Sequence, residues 1–278
     1  MSDYNYGGCY YQLRMNLGIE NNTTIVTAAG SGLGKATAKA FAQEGANLVL
    51  NDLNEDNLTE AVGEINEISA SGDVIPIQGD LTKQNDITRI VDTTVEEFGG
   101  IDHLVTSSGG PSAGPFMEMD DNDWNFAHEL LLLSVVRLCR EAYPHLKEGD
   151  GGTIVNSTSR SVKEAINGLV LSNAVRSGVA GLSKTLSMEF APEVRTNIVM
   201  PGPTETQRMV DLIESGIERG EYDSYREGRK AKAEGIPLGR IGGPEEFGEF
   251  VTFLSSPRAS YVNGAAIPID GGAMASNV

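Results

Sequence analysis

The residues with the clearest chemical potential come early: three closely spaced glycines, Gly30, Gly32 and Gly34, and an acid, Asp52, at the end of the next apolar run. Glycines crowded into a turn let the backbone come close to a ligand, and a helix that opens beside them offers unpaired N–H groups to a phosphate. An acid about twenty residues further on stands where it can hydrogen-bond the hydroxyls of a ribose. The chemistry on offer is the binding of an adenine dinucleotide. The spacing is G-x-G-x-G rather than G-x-G-x-x-G, so the glycines alone do not separate a ligand cradle from a structural turn. Asp52 likewise has a plainer alternative, a solvated acid at a strand end.

The elements needed to position these residues are legible around them. Thr24 to Ala28 is short, β-branched and apolar, which suits a buried strand. Lys35 to Glu44 carries Ala36, Ala40 and Phe41 at helical spacing, Gly45 closes it, and Asn47 to Asn51 forms a second strand. The alternation continues. Glu55 to Ser69 is a helix with Leu58, Ala61, Ile65 and Ile68 on one stripe, and Val74 to Gln78 is a strand ending at Gly79-Asp80. Helices follow at Ile87 to Phe98, Asp123 to Leu146 and Leu171 to Phe190, with strands at His103 to Thr106, Thr153 to Asn156 and Thr196 to Val199. Pro244 opens a last helix with Glu245 and Glu246 in its first turn, and Ala265 to Ile269 is the final strand. Strands alternating with helices predict a parallel sheet covered on both faces: an α/β, doubly wound Rossmann-type fold of about seven strands in three layers. Ligands of such sheets bind beyond the strand C-terminal ends. Those ends carry the glycine turn, Asp52, Asp80, Ser107 to Gly110, Ser157 to Ser159 and Pro201-Gly202.

Composition narrows the class. A chain of 278 residues with 40% hydrophobic content buries a sizeable core, and no linker divides it, so one domain over 15–278 is expected after a loose, tyrosine-rich tail at 1–14. The net charge of −18 argues against nucleic acid or an anionic membrane as partner. It also raises the hypothesis of a salt-rich host, where added salt screens self-repulsion; a melting temperature that fails to rise with KCl would count against it. Cys9 and Cys139 give no disulfide framework, and His103, His128 and His145 are too scattered for a ligand set, so no metal is expected. The most apolar run, Leu130 to Val136, is too short to span a bilayer. With no charged-then-apolar leader, a cytoplasmic location is expected.

Together these positions resemble the short-chain dehydrogenase/reductase family, over nearly the whole chain from about Leu17 onward. The stretch from Thr27 to Gly34 is similar to the family's T-G-x-x-x-G-x-G with Ala28 in place of the first glycine. Asn51-Asp52 matches the acid that selects NAD, and Gly79-Asp80 the acid near adenine. Asn197 to Thr206 resembles the segment beside the nicotinamide, and 239–246 and 267–272 the C-terminal signature. The resemblance implies hydride transfer between NAD(P) and a carbonyl or alcohol. It implies a cofactor site at Gly30, Ser31, Gly32, Leu33, Gly34, Asp52, Leu53, Asp80, Leu81, Ser108, Gly109, Arg176, Pro201, Gly202 and Thr204. It also implies a homo-oligomer, a dimer or tetramer. The segment around 204–235 is polar, charged and helical in places, with Gly216, Gly220 and Gly228 interrupting it, and is expected to form a substrate lid with those glycines as hinges.

The same resemblance marks a departure. Ser159 matches the family's catalytic serine, but Ser172 stands at the position of its tyrosine, Arg176 at that of its lysine and Leu131 at that of its asparagine. A phenol titrates near pH ~10 and can be drawn toward neutrality, whereas an aliphatic hydroxyl cannot, and a guanidinium stays protonated. Lys163, on the loop leaving the same strand as Ser159, is therefore a candidate acid/base, the alternative being a solvated loop lysine beside Glu164. With no basic residue flanking Asp52, NAD is expected over NADP. The expected function is an NAD-dependent oxidoreductase with an atypical site; the alternative is a catalytically silent NAD-binding protein of the same fold.

Overall fold

A computed structural model describes residues 15–149 and 151–276; the expected N-terminal tail and Cys9 lie outside them. Seven parallel strands form one sheet: β1 (Thr23–Val26), β2 (Asn47–Asp52), β3 (Val74–Gln78), β4 (His103–Thr106), β5 (Gly152–Ser157), β6 (Val194–Pro201) and β7 (Ala266–Ile269). Their order is β3-β2-β1-β4-β5-β6-β7. The order reverses between β1 and β4, where β1 pairs with β2 on one side and β4 on the other. That reversal opens a crevice at the strand C-terminal ends.

The described residues also form nine α-helices. They are α1 (Gly32–Gln43), α2 (Glu55–Ile68), α3 (Gln84–Phe98), α4 (Asp121–His128), α5 (Ser134–Leu146), α6 (Val170–Glu189), α7 (Gln207–Glu218), α8 (Tyr225–Glu234) and α9 (Pro244–Ser255). One face packs Phe41, Leu48, Leu50, Leu58, Ile65, Phe247 and Val251 from α1, α2, α9 and the sheet. The other packs Ile87, Ile90, Leu104, Val135, Leu138, Ile154 and Val179 from α3, α5, α6 and the sheet. Fully burying a side chain of this size stabilises the fold by about 1.5–3 kcal/mol, so these two layers hold the strand ends in register. Among the described residues no helix is long and apolar enough to cross a membrane.

Two local features differ from the sequence expectation. The helix expected from Asp123 to Leu146 is α4 and α5 joined by a π-helical turn, Glu129–Leu133. Asp120 caps α4, accepting from Asn122 N and Asp123 N. The charged segment before Pro244 is regular rather than broken: α7 and α8 form there, and Gly216 and Gly228 sit inside them as packing positions. A Cβ on Gly216 would lie 2.7 Å from the Tyr222 ring, and one on Gly228 would lie 2.6 Å from Ile213. Only Gly220, at φ +73°, occupies a left-handed turn between the two helices.

Two buried titratable groups belong to the core. Burial pushes the Cys139 thiol up to about 12. His103 on β4 is pushed down to about 3, first by burial and then by Arg195. Its Nδ1 lies 2.8 Å from Thr153 Oγ1 and its Nε2 lies 3.1 Å from Asn22 Nδ2. A neutral ring with its proton on Nδ1 satisfies both.

Candidate active site

A crevice of about 580 Å³ runs along the strand ends. Its first half is built by β1, α1 and β2. Thr27 closes β1 against the β4 end, donating to Ser107 O at 2.6 Å and accepting from Ser107 N at 2.8 Å. The chain then turns with Ala28 at φ +49° and Gly32 at φ +54°. A left-handed backbone costs a residue with a Cβ roughly 1–2 kcal/mol, so Ala28 is strained where the resembling family carries glycine. A Cβ on Gly34 would collide with the Ala28 carbonyl, which holds α1 tight against the turn. No side chain caps the N-terminus of α1 and no acid stands in its first turn, so its N–H groups face the crevice unopposed.

The acid expected to hold a ribose is fixed by the backbone. Asp52 Oδ2 accepts from Gly30 N and Oδ1 from Asn54 N, both at 2.9 Å. Each oxygen keeps a further acceptor site. Gly30 does not line the crevice; it serves by close approach, since a Cβ there would lie 2.8 Å from Asp52 Cγ. Asp80 Oδ1 accepts from Thr82 N and Oγ1. Asn51 lines the same end, with its Oδ1 buried and without a partner. An open helix N-terminus, a glycine cradle, an acid with free lone pairs and an orphan acceptor together fit an adenine dinucleotide.

The second half of the crevice comes from β5, β6 and the helices after them. Beyond β5, Ser159 caps a short 3₁₀ turn, Arg160–Val162, by accepting from Ser161 N at 3.1 Å, which leaves its own O–H to donate elsewhere. Ser172 and Arg176 lie one turn apart on α6, and both face the crevice. Arg176 Nε donates to Ser172 Oγ at 3.3 Å, and its Nη1 and Nη2 reach the Ser157 and Gly109 carbonyls at 3.5 Å. Burial, with Arg208 second, pushes the Arg176 guanidinium down to about 10, so it remains a cation at neutral pH.

Of the other positions singled out in the sequence, Ser31, Leu33, Leu53, Leu81, Ser108, Gly109, Pro201, Gly202 and Thr204 all line the crevice. Lys163 does not. It is exposed and lines a separate recess with Ser177, Lys184, Thr196 and Gly264, because the turn capped by Ser159 ends there and delivers it to a different stretch of α6. Leu131 is 2% exposed inside the π-helical turn, and it is Leu130 that reaches the crevice. Sequence reasoning missed Arg160, Arg208, Lys232 and the apolar Phe126, Ile166, Leu169 and Leu212, all of which line the crevice. One signal for Arg208 was available: it stands in the first turn of α7, where the helix dipole disfavours a cation.

The chain is similar to known proteins over this whole architecture. The family profile described as enoyl-(acyl carrier protein) reductase matches residues 27–274. A 3-oxoacyl-(acyl-carrier-protein) reductase of Thermotoga maritima is 33% identical over 255 residues, 91% of this chain and 98% of its own. An uncharacterised oxidoreductase of Bacillus subtilis is 31% identical over 258 residues, 92% of each chain. Among solved structures, L-sorbose reductase from Gluconobacter frateurii, complexed with NADPH and L-sorbose, superposes with a TM-score of 0.89 at 30% identity, covering 94% of this chain and 100% of that one. A 7α-hydroxysteroid dehydrogenase complexed with NADH and a 7-oxo bile acid superposes at 0.82 and 27% identity, covering 92% and 96%. With its glycine cradle, its strand-end acid and near-complete coverage of these relatives, the chain belongs to the short-chain dehydrogenase/reductase family of NAD(P)-dependent oxidoreductases.

Proposed function

We propose that this chain transfers hydride between NAD and a carbonyl or alcohol group through a site that uses hydroxyls and a guanidinium in place of the family's tyrosine and lysine. The observation that carries the reading is the Arg176–Ser172 pair. Because Ser172 Oγ accepts from Arg176 Nε at 3.3 Å, its own proton is free to point at a substrate oxygen. Ser159 has the same freedom, its oxygen being engaged by Ser161 N. Two hydroxyl donors and an adjacent cation stabilise negative charge as it develops on that oxygen. A bound nicotinamide supplies or takes up the hydride. Neither serine titrates near neutrality, so the proton that completes the reaction comes from water in the crevice, and Ser172 and Ser159 orient it by holding the oxygen.

The preference for NAD rests on Asp52. Its carboxylate would accept both ribose hydroxyls and repel a 2′-phosphate. The nearest basic residues on α1 are already engaged: Lys35 pairs with Glu64 at 3.0 Å, and Lys39 pairs with the same acid. Segments α7 and α8 act as the lid, joined to the strand end by the Arg229–Glu205 pair. Exposed Met188 on α6 suits association between copies of the chain, which light scattering of the purified protein would register as a dimer or tetramer.

The test combines calorimetric titration with NADH and NADPH and steady-state oxidation of NADH against ketones, aldehydes and 3-oxoacyl thioesters. NADH should bind more tightly than NADPH, and at least one carbonyl class should turn over. Equal affinity would remove the role given to Asp52. Tight NADH binding without turnover of any class would remove the catalytic role given to Ser159, Ser172 and Arg176.

A further inference from the structure

Apart from two acids, the charge lining the crevice is opposite in sign to that of the chain as a whole. The protein carries −18, yet the charged residues that line the crevice beyond Asp52 and Asp80 are Arg160, Arg176, Arg208 and Lys232. None of these four forms an ion pair with a described carboxylate. An acidic protein has many carboxylates available to neutralise a cation, so four unpaired cations in one cavity are a specific arrangement.

Two of them converge on one short loop. Arg176 reaches up from α6 to the Gly109 carbonyl, its Nη2 at 3.5 Å. Arg208 comes down from α7, its Nη2 donating to Pro111 O at 3.2 Å. Its guanidinium lies so close over Gly110 that a Cβ there would sit 3.1 Å from Cζ. Two like charges flanking residues 109–111 repel each other, and Arg208 also opposes the dipole of its own helix. An anion placed between them relieves both penalties at once. Guanidinium forks match carboxylate and phosphate oxygens.

We propose that Arg208 and Arg176 form an oxyanion subsite, and that the substrate is a carbonyl or alcohol compound carrying a carboxylate or phosphate group. The inference rests on the oxidoreductase reading above and names its substrate class. The diphosphate of the cofactor is the competing anion, because Thr206, two residues before Arg208, lies near Gly32, with its Cγ2 3.5 Å from where a Cβ would stand. The open N-terminus of α1 already provides for that diphosphate, whereas Arg176 lies against Ser172 and the Ser157 carbonyl, and Arg208 against the same 109–111 loop that Arg176 reaches.

The experiment measures kcat/KM with NADH for pyruvate, acetoacetate and levulinate, each against its methyl ester, and for dihydroxyacetone phosphate against dihydroxyacetone. A charge-assisted pair predicts that the anion is favoured by about ten- to a hundredfold in at least one arm, and the better arm distinguishes carboxylate from phosphate. Arg208→Gln should collapse that ratio toward one, and Arg208→Lys should restore part of it. Neutral substrates that match or exceed the anions in the wild-type protein would overturn the subsite. So would an Arg208→Gln variant that keeps the ratio and instead loses NADH affinity, since that assigns Arg208 to the cofactor. If no ketone turns over, calorimetry of acetoacetate and its methyl ester into the NAD-loaded protein decides. Anion-selective binding that Arg208→Gln abolishes supports the subsite while the oxidoreductase reading fails, and binding without anion selectivity overturns the subsite.

Discussion

The two halves of the crevice are built on different principles. The half proposed for adenosine is made of backbone: Gly34 packed on the Ala28 carbonyl, Gly30 on Asp52, and Asp52 held by two main-chain N–H groups. The half proposed to react is made of side chains, Ser159, Ser172, Arg176 and Arg208, brought from the turn after β5, from α6 and from α7, and anchored to the main chain at Ser161 N and at the Ser157, Gly109 and Pro111 carbonyls. Backbone-built sites fix what they bind within narrow limits, because few sequences can form the same turn. Side-chain sites can change chemistry while the scaffold stays. That contrast explains how this chain keeps the family's dinucleotide cradle yet carries a serine and an arginine on α6.

The contrast can be broken from either side. Ser172→Ala should give the largest effect, lowering kcat by about 10²–10³-fold, the usual cost of losing one donor to a developing oxyanion. NADH affinity should stay unchanged by calorimetry; a joint loss of both would mean the halves are not separable. Gly34→Ala should do the reverse. The added methyl meets backbone rather than a yielding side chain, so overpacking should cost about 1–3 kcal/mol in chemical denaturation and weaken NADH binding with it.

A pH series separates the scaffold from both halves. His103 stays neutral in the fold down to about pH 3, while in the unfolded chain it takes up a proton near its ordinary pKa of ~6.5. Between these values the unfolded state binds one more proton, so stability falls as pH falls, by up to about 1.4 kcal/mol per pH unit. The acids pushed furthest down, half-buried Glu64 and exposed Glu246, both at about 2, act in the same direction only below their own ordinary range near 4.5. Chemical denaturation between pH 5 and 6.5 should therefore show a slope that disappears in His103→Gln. The smallest effect is expected at Ala28→Gly. Relief of the left-handed strain at φ +49° is partly offset by the greater freedom of glycine in the unfolded chain, leaving a gain of at most about 1 kcal/mol. A loss of stability there would show that the Ala28 methyl packs usefully.

How much could be seen beforehand follows the same division. The glycine turn, Asp52, Asp80 and the strand-end Ser159 and Pro201-Gly202 were legible because strand, turn and helix patterns place them by counting along the chain. The position of Lys163 was not. Being four residues from Ser159 gave no hint that the 3₁₀ turn would carry it into another recess. Gly216 and Gly228 looked like hinges because glycine interrupts helices on average, and only the fold showed Tyr222 and Ile213 packed where their side chains would be.

By itself, the amino-acid order determined the alternation of strands and helices, the parallel sheet and the dinucleotide cradle. All of these follow from local periodicity and from turns that few residue types can make. Only the tertiary structure decided which cations share the crevice. Arg160, Arg176, Arg208 and Lys232 come from four separate segments spread over seventy-three positions of the chain, and whether they meet depends on how α6, α7 and α8 pack over the sheet. Spacing along the chain relates charges only within one helix or turn; between segments their interaction appears only once distances in space are set.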